Sequence, residues 1–589
     1  MKKILTFIIL VVFGGEGFCQ GINIKTNAYF RVTGAATINI VNGGLIDNGT
    51  YTKDIEGDET VTFSGTETAG RISGSSTTIV NNLTLTNTKG ITIAAGKKLT
   101  VSGTLTNSVV GYGGLVIEST SDAANGTASL LNSTTEVRAT VERWMSGDLW
   151  HLISPAATRG ESIDDFVGTT QNDNLIARKA ANNNYALAPY NEGTDLWDYY
   201  KIDNTDLNSS TFDKPGKGYQ VLRASAADGK TGTGNGTEGG TGKVDFKGTL
   251  GAADVLDIPI TKSKYGWNLV GNPYPCAMNV TAFIAANTGA IDVAYRAIYV
   301  SKMSDITVYG YQPHTATPAI TNLAPGEGFF VKSVAGGGTI DFTTTMKSHT
   351  SDAFKSAVIQ NGFNLVAESG GDKMSTTVKY IPQMTAGLDP GWDLGLFYNG
   401  EDSPLSLYTW LVEEYGVDFT IQCLPDYDYE NLIVPVGIKA KQGATIEFSL
   451  ADVTVPVGYK VFLEDKVSRK FTRLDEQGSS YSVQLNASSN GTGRFFLHTK
   501  QEITGMKDGL SNQFVVIPMP QHNIIRISGL MNLPAQATVY DMNGRMIAIK
   551  KLTSLNENEI PLQGVSKGFY LIKIKSDKQT TQSKFSWTL

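Results

Sequence analysis

Between about Gln20 and Thr140 the chain alternates apolar and polar residues in very short runs, separated by Gly and Asn. In the stretch NLTLTNTKGITIAAGKKLTVSGTLTN, the pairs Leu83/Leu85, Ile91/Ile93 and Leu99/Val101 follow one another at intervals of eight. Within each pair the period is two, which places both side chains on one face of a strand. The Gly and Asn between pairs permit sharp corners. Tandem short strands with such corners predict a β-solenoid, parallel β-helix-like, each rung burying its face on the next. A β-meander is the alternative reading, and the interval loosens after Thr106.

Residues 141 to about 350 carry the same pattern twice. GDLWHLISPAA is echoed by YGWNLVGNPYP, so Trp150 matches Trp267. KPGKGYQVLR is echoed by APGEGFFVKS, so Gly216 and Gly218 match Gly326 and Gly328. GKVDFKGTL is echoed by GTIDFTTTM, so Phe246 matches Phe342. The offset shrinks from 117 to 110 to 96, and the last step has a cause: the first copy alone carries the loop DGKTGTGNGTEGGTG. Each copy predicts a Trp-bearing strand, a Pro-Gly turn opening an apolar strand, and an Asp-Phe strand. The short segments Ser162–Val167 and Thr281–Ala286 are the best helix candidates.

Farther on, VPVGIKA, ATIEFSL, GYKVFLED, RKFTRL, YSVQL and RFFLHT are alternating runs about ten residues apart, the spacing of a β-sandwich. From about Gly505 the segment TVYDMNGRMIAI places two alternating runs around Asn543-Gly544, a hairpin signal because both residues tolerate φ > 0. GFYLIKIK reads as a further strand. The expected class is all-β, with this partition: signal peptide 1–19, β-solenoid 20–140, β domain copy one 141–257 and copy two 258–350, β-sandwich 351–500, and a small β-sandwich at 505–589.

Composition narrows the picture. The chain has 589 residues, 63 of them Gly, and is only 18% charged, which excludes a coiled coil or a helical repeat. Lys2 and Lys3 precede an apolar run from Ile4 to Phe13, too short for a membrane span of ~20 residues. Gly17 and Cys19 then give the small-x-small pattern of a signal peptidase site, predicting cleavage that leaves Gln20 first. A lipoprotein reading of Cys19 lacks the apolar-small-small approach. No other run is long enough to span a membrane. Cleavage leaves Cys276 and Cys423, too few for a disulfide scaffold, and two buried free thiols are the default. Residues 505–589 hold ten Lys/Arg against five Asp/Glu, a net +5, while the rest of the mature chain carries −13. The acidic body disfavours nucleic acid and anionic lipid as general partners.

Candidate chemistry is thin. Gly234, Gly236 and Gly239 match GxGxxG, but a β-like segment follows where a dinucleotide site needs a helix. The five histidines, His151, His314, His349, His498 and His522, show no metal-ligand spacing. Asp148, His151 and Ser154 invite a triad, yet no GxSxG elbow exists, and residues three apart on a strand face opposite sides. If extended, DYDYEN places Asp426, Asp428 and Glu430 on one side, an arrangement suited to Ca²⁺; a solvated, Tyr-faced loop is the plainer reading. Asp203, Asp206 and Asn208 are read with the same restraint. The seven Trp belong mostly to alternating strands and read as core rather than as sugar-stacking platforms. No catalytic residue, cofactor or metal site is assigned.

The C-terminal segment resembles the type A sorting domain of type IX (Por) secretion substrates. The resemblance lies in Val539, Tyr540, Asp541, Asn543, Gly544 and Arg545, then IPL, then Gly568 and Tyr570 in GFYLIKI, and a late Lys584. The opening is IPMP (Ile517–Pro520) and the closing strand KFSW, both departures from the usual pattern. The resemblance implies Sec export, recognition by an outer-membrane translocon and its processing peptidase, removal of the domain, and surface attachment or release in a Gram-negative bacterium. Upstream, WNLVGNPYP and VPVGIKA…GYKVFLEDK are similar to the large β-rich surface proteins that carry this domain. The expected protein is therefore a secreted cell-surface, adhesin-like or structural binding protein with a glycan or protein ligand, not an enzyme. The alternatives are a lyase-like polysaccharide enzyme on the solenoid and a passive surface spacer. The lyase reading requires Asp47, Asp54, Glu56, Asp58 and Glu59 to line a groove with Lys53 and Arg71.

Overall fold

The computed structural model describes residues 21–587 apart from 33–34, 53–57, 122–125, 135–136, 146–149, 159–161, 168–175, 177, 180–182, 204–206, 208–209, 213, 224–241, 303–309, 315–321, 350–360, 398–403, 414, 501–514, 520–522, 529–533, 554–556 and 577–579. The signal segment with Cys19 and Gln20, the loop bearing Gly234, Gly236 and Gly239, and His522 lie outside the described residues. The chain falls into two compact units, one ending near residue 357 and one formed by 293–296 with residues from 358 on.

The first unit opens with the expected solenoid, built on a larger repeat than the eight-residue interval. Strands Asn82–Leu85, Ile91–Ile93 and Lys98–Val101 do not pair with one another; they belong to three different sheets and form successive sides of one coil. Each pairs in parallel with the strand one coil on: Leu83 opposite Leu105, Ile91 opposite Leu115, Leu99 opposite Leu130. The eight-residue interval is thus the length of one side, and stacking runs across intervals of 21 to 31 residues. Alternate positions of each side point inward. Leu83, Leu85, Ile91, Ile93, Leu99 and Val101 are all buried in one core, each contributing about 1.5–3 kcal/mol by leaving water. The corner at Gly90 needs glycine: its φ is +82°, and a Cβ would stand 2.1 Å from the Gly113 carbonyl oxygen of the next coil.

A parallel ladder leaves an open edge at each end. At the C-terminal end the edge is closed on one of the three sides. Strand Arg138–Met145 pairs in parallel with Leu115–Ile117 on one side and antiparallel with Gly242–Leu250 on the other, Val141 opposite Phe246. The solenoid sheet therefore continues through residue 140 into the next lobe.

That lobe and its successor can be compared strand by strand at the positions matched in the sequence. In the first, Trp150–Ile153 pairs with Tyr219–Leu222, Trp150 opposite Leu222. In the second, Trp267–Gly271 pairs with Gly328–Lys332, Trp267 opposite Lys332. A short helix follows each Trp strand, Ile163–Val167 and Val280–Ala286, and each sets a Phe on the Asp-Phe strand: Phe166 stacks on Phe246 at 4.9 Å, and Phe283 on Phe342 at 5.0 Å. The contacts between lobes are reciprocal. Ser154 N–H donates to the Gly326 carbonyl (2.9 Å), and Gly271 N–H to the Gly216 carbonyl (3.0 Å). Gly328 packs on the backbone of Ile153, while Gly218 packs on Leu269 and the carbonyl of Val270. A further contact joins the lobes: the Glu192 carboxylate accepts from the backbone N–H of Ser263, Lys264 and Gly266 at 2.7–2.8 Å.

The second unit is dominated by one sheet of eleven strands, antiparallel but for the pair Asp372–Tyr380 with Phe419–Leu424. All six strands read from the sequence between 434 and 500 are present. The sheet folds over a single core that includes Phe363, Val434, Leu463 and Phe495. Its two ends approach each other: the Tyr481 hydroxyl, on the edge strand Ser480–Gln484, donates to Asp465 (2.7 Å) on Lys460–Asp465, next to the opposite edge.

Candidate recognition site

The C-terminal domain packs two small sheets around one core. Val515–Met519, Ile524–Ser528 and Glu557–Pro561 form the first, and Met546–Leu552, Ala535–Asp541, Gly568–Ser576 and Thr580–Trp587 form the second, in that spatial order. Alternation along Ala535–Asp541 sends Ala535, Ala537 and Val539 inward against Ile572, Ile574, Phe585 and Trp587. The sequence departures at both ends are structural members of the domain: KFSW supplies Phe585 and Trp587 to the core, and Ile517–Met519 of IPMP lie on the strand Val515–Met519.

The hairpin is present with a different turn from the expected two-residue one. Asn543 does not have positive φ; Gly544 alone does, at +80°. Gly544 N–H donates to the Asp541 carbonyl (3.0 Å), and Asp541 N–H to the Arg545 carbonyl (2.9 Å), closing a three-residue loop. Asp541 explains the change. Its carboxylate accepts from the backbone N–H of Arg545 (2.9 Å) and Asn543 (3.0 Å) and from Arg545 Nε (3.1 Å). This side-chain turn competes with the two-residue form. The same contacts, with the Arg545 N–H first, hold the Asp541 carboxyl below the usual carboxylate range. Of the other motif residues, Tyr570 is buried on Phe585 with its hydroxyl on the Ser566 carbonyl (2.6 Å), Gly568 opens the strand beside it, and Lys584 lies over the Phe569 ring at 4.4 Å.

The domain is not a free appendage. Met519 and Ile524 pack with Tyr408, Trp410 and Leu396 of the large sheet, and the Arg526 guanidinium stands 4.5 Å over the Trp410 ring. Trp410, Tyr408 and Met519 are at most 5% exposed.

The remaining candidates do not converge. Asp426, Asp428 and Glu430 are exposed in a turn rather than on a strand; Asp428 has φ +59° and accepts from the Asn431 side chain (2.6 Å), while Tyr429 is buried between Tyr380 and Tyr459. Among the described residues, no group of three His, Cys, Asp or Glu is placed to hold a metal. His151 lies on the strand paired with Tyr219–Leu222, and Asp148 is outside the described residues. Asp203 accepts from Asn183; Asp206 and Asn208 are outside the described residues. In the solenoid, Asp47 and Glu59 point into the coil, whereas Arg71 points out and pairs with Glu118 (3.0 Å), so these do not line one groove; Lys53, Asp54 and Glu56 lie outside the described residues. None of the seven Trp is exposed.

Sequence reasoning missed one buried pair. The Lys97 ammonium donates to the Ser76 carbonyl (2.7 Å) and lies 3.8 Å from Asp47, both side chains fully buried, and Thr78 donates to Asp47 (2.7 Å). Burial pulls Lys97 down to about 8 against the attraction of Asp47.

Comparison with known proteins sets the C-terminal segment apart from the rest of the chain. The family described as Domain of unknown function (DUF8693) matches residues 54–498, and the Secretion system C-terminal sorting domain matches residues 515–587. A minor fimbrium subunit of Porphyromonas gingivalis is 24% identical over 527 residues, covering 80% of this chain; the chain spans 38% of that protein's length. Among solved structures, a biofilm associated protein domain (BSP domain) shares 8% identity over 57% of this chain and 62% of its own, at a TM-score of 0.16, too low to bear on the fold.

Proposed function

The chain belongs to the DUF8693 family and ends in a type IX sorting domain, and on that premise we propose that it is an adhesin-like subunit of a surface structure that binds a glycan or protein partner. The sorting domain implies export to the cell surface or medium of a Bacteroidetes-type bacterium. The observation that carries the adhesive reading is the similarity to a fimbrium subunit, which runs through 80% of this chain. The architecture is compatible with it. A solenoid whose ladder continues into the first lobe makes a stiff module, and the reciprocal contacts between the two lobes support their being copies of one fold. A stiff module transmits load and presents a surface without needing a cavity.

The test is to purify the surface form from a type IX-secreting host, probe it on glycan and host-protein arrays, and locate it by immunogold labelling. The reading expects filament-associated or cell-surface label and saturable binding to at least one ligand. Label confined to the periplasm, or cleavage of a polysaccharide by the purified protein, contradicts it.

A further inference from the structure

We propose that the outward face of the four-stranded sheet in the sorting domain is the surface gripped by the secretion machinery, and that its partner is a protein presenting an acidic groove with an apolar floor. This rests on the export reading above.

Register defines the face. Met546 stands opposite Tyr540, Tyr540 opposite Leu571, and Leu571 opposite Lys584; in the next row Ile549 stands opposite Thr538 and Thr538 opposite Lys573. Residues in register share a side of the sheet, so all of these point away from the core that holds Val539, Ile572 and Phe585. On that side Met546, Ile549 and Phe569 are 57%, 53% and 58% exposed. Single exposed apolar residues are ordinary, but three large ones on one face of a small domain mark a contact surface. Lys573 and Lys584 stand among them, and no described position that these four strands place on this side is acidic.

Two other parts of the domain are already engaged. One side of the four-stranded sheet makes the core, and the first sheet docks through Met519, Ile524 and Arg526 on Trp410. The lysines call for a negatively charged partner and speed its encounter. A lipid surface would also take lysines and apolar side chains. The protein partner is favoured by the edge strand Met546–Leu552, which carries Met546 and Ile549 and, among the described residues, is paired on one side only, to Ala535–Asp541. An open backbone edge is satisfied by a strand from another protein, which lipid does not supply.

The test uses the full chain in a type IX-secreting host. Two variants are compared, Met546→Ser/Ile549→Ser/Phe569→Ser and Lys573→Glu/Lys584→Glu, with Lys441→Glu/Lys470→Glu on the large sheet as control. Surface and periplasmic protein are measured by fractionation, and melting of the purified chains is followed. Both face variants are expected to lower surface protein about tenfold, equivalent to ~1.4 kcal/mol of recognition, with periplasmic accumulation, unchanged melting and normal export of the control. The lysine pair alters only exposed positions, so it decides the matter if the triple variant loses stability. Normal export of the lysine variant overturns the proposal. Loss of binding to phosphatidylglycerol vesicles while export stays normal overturns it in favour of lipid. A chain truncated at Thr504 separates the two readings: if it is retained while the face variants are exported, only the face is wrong, and if it too reaches the surface, the export reading fails.

Discussion

Lys97 follows Gly96 at a solenoid corner, and nothing in AAGKKLTV says that it turns inward while Lys98 does not. Its direction is set by coils 21 and 50 residues away, through the Ser76 carbonyl and Asp47. Its folded pKa, about 8, lies below the unfolded value of 10.5, so the unfolded chain holds the proton more tightly. The cost of burying the charge is therefore fully present below pH 8 and is relieved as pH rises from about 8 towards 10.5. Urea unfolding of the chain from Gln20 onward should show a gain in solenoid stability over that window, absent from the Lys97→Met/Asp47→Leu double variant. Lys97→Met alone should cost about 3–5 kcal/mol, because it strands a buried carboxylate, and the double variant should recover most of it. The cysteines were easier to anticipate, because two thiols in so long a chain cannot form a scaffold. Both are free and buried, Cys276 pushed up by burial to about 12 and Cys423 pushed up further still. Neither should react with a thiol reagent in the native protein at pH 8, and both should on unfolding.

At the scale of elements, period-two alternation identified strands well and their partners poorly. Leu83/Leu85, Ile91/Ile93 and Leu99/Val101 are inward pairs as read, but alternation is a local signal and pairing across 21 to 31 residues is not. The hairpin was placed correctly and its turn was not, because the Asp541 carboxylate, two residues before Asn543, captures the loop N–H groups. The expectation of two copies rests on Trp, Gly and Phe positions that recur in order along the sequence. The recurring glycines have a packing cause that only the fold reveals: a Cβ on Gly328 would stand 2.7 Å from the backbone nitrogen of Ile153, and one on Gly218 2.5 Å from Leu269 Cγ. Gly328→Ala and Gly218→Ala should each destabilise the lobes by about 1–3 kcal/mol. Gly113→Ala, with open space around it, should be close to neutral in the same thermal unfolding assay. Glu192, which ties one lobe to a loop of the other, lies in an irregular segment with no periodic signal. Burial raises its pKa, but the N–H groups of Lys264, Gly266 and Ser263 outweigh burial and hold it low. Its contribution should be present above about pH 4.5 and lost as pH falls through the depressed folded value.

At the scale of the whole molecule, the chain divides into an acidic body and a basic C-terminal domain, −12 over residues 1–504 against +5 beyond them, and that contrast is legible in the sequence. What it did not reveal is that the basic domain rests on its own cargo. Trp410 is buried beneath Met519 and Arg526, so removing the sorting domain uncovers an aromatic patch on the large sheet. The tryptophan emission of a chain ending at Thr504 should be red-shifted and more readily quenched by acrylamide than that of the full chain. The central claim is that residues beyond about 505 direct export and are absent from the displayed protein. The most direct measurement expresses the full chain and the Thr504 truncation in one type IX-secreting host, with fractionation and peptide mass spectrometry of the surface protein. The account predicts that the truncation stays in the periplasm and that the full-length product reaches the surface without peptides beyond about 510. Normal surface arrival of the truncated chain, or recovery of sorting-domain peptides from the displayed protein, would contradict it.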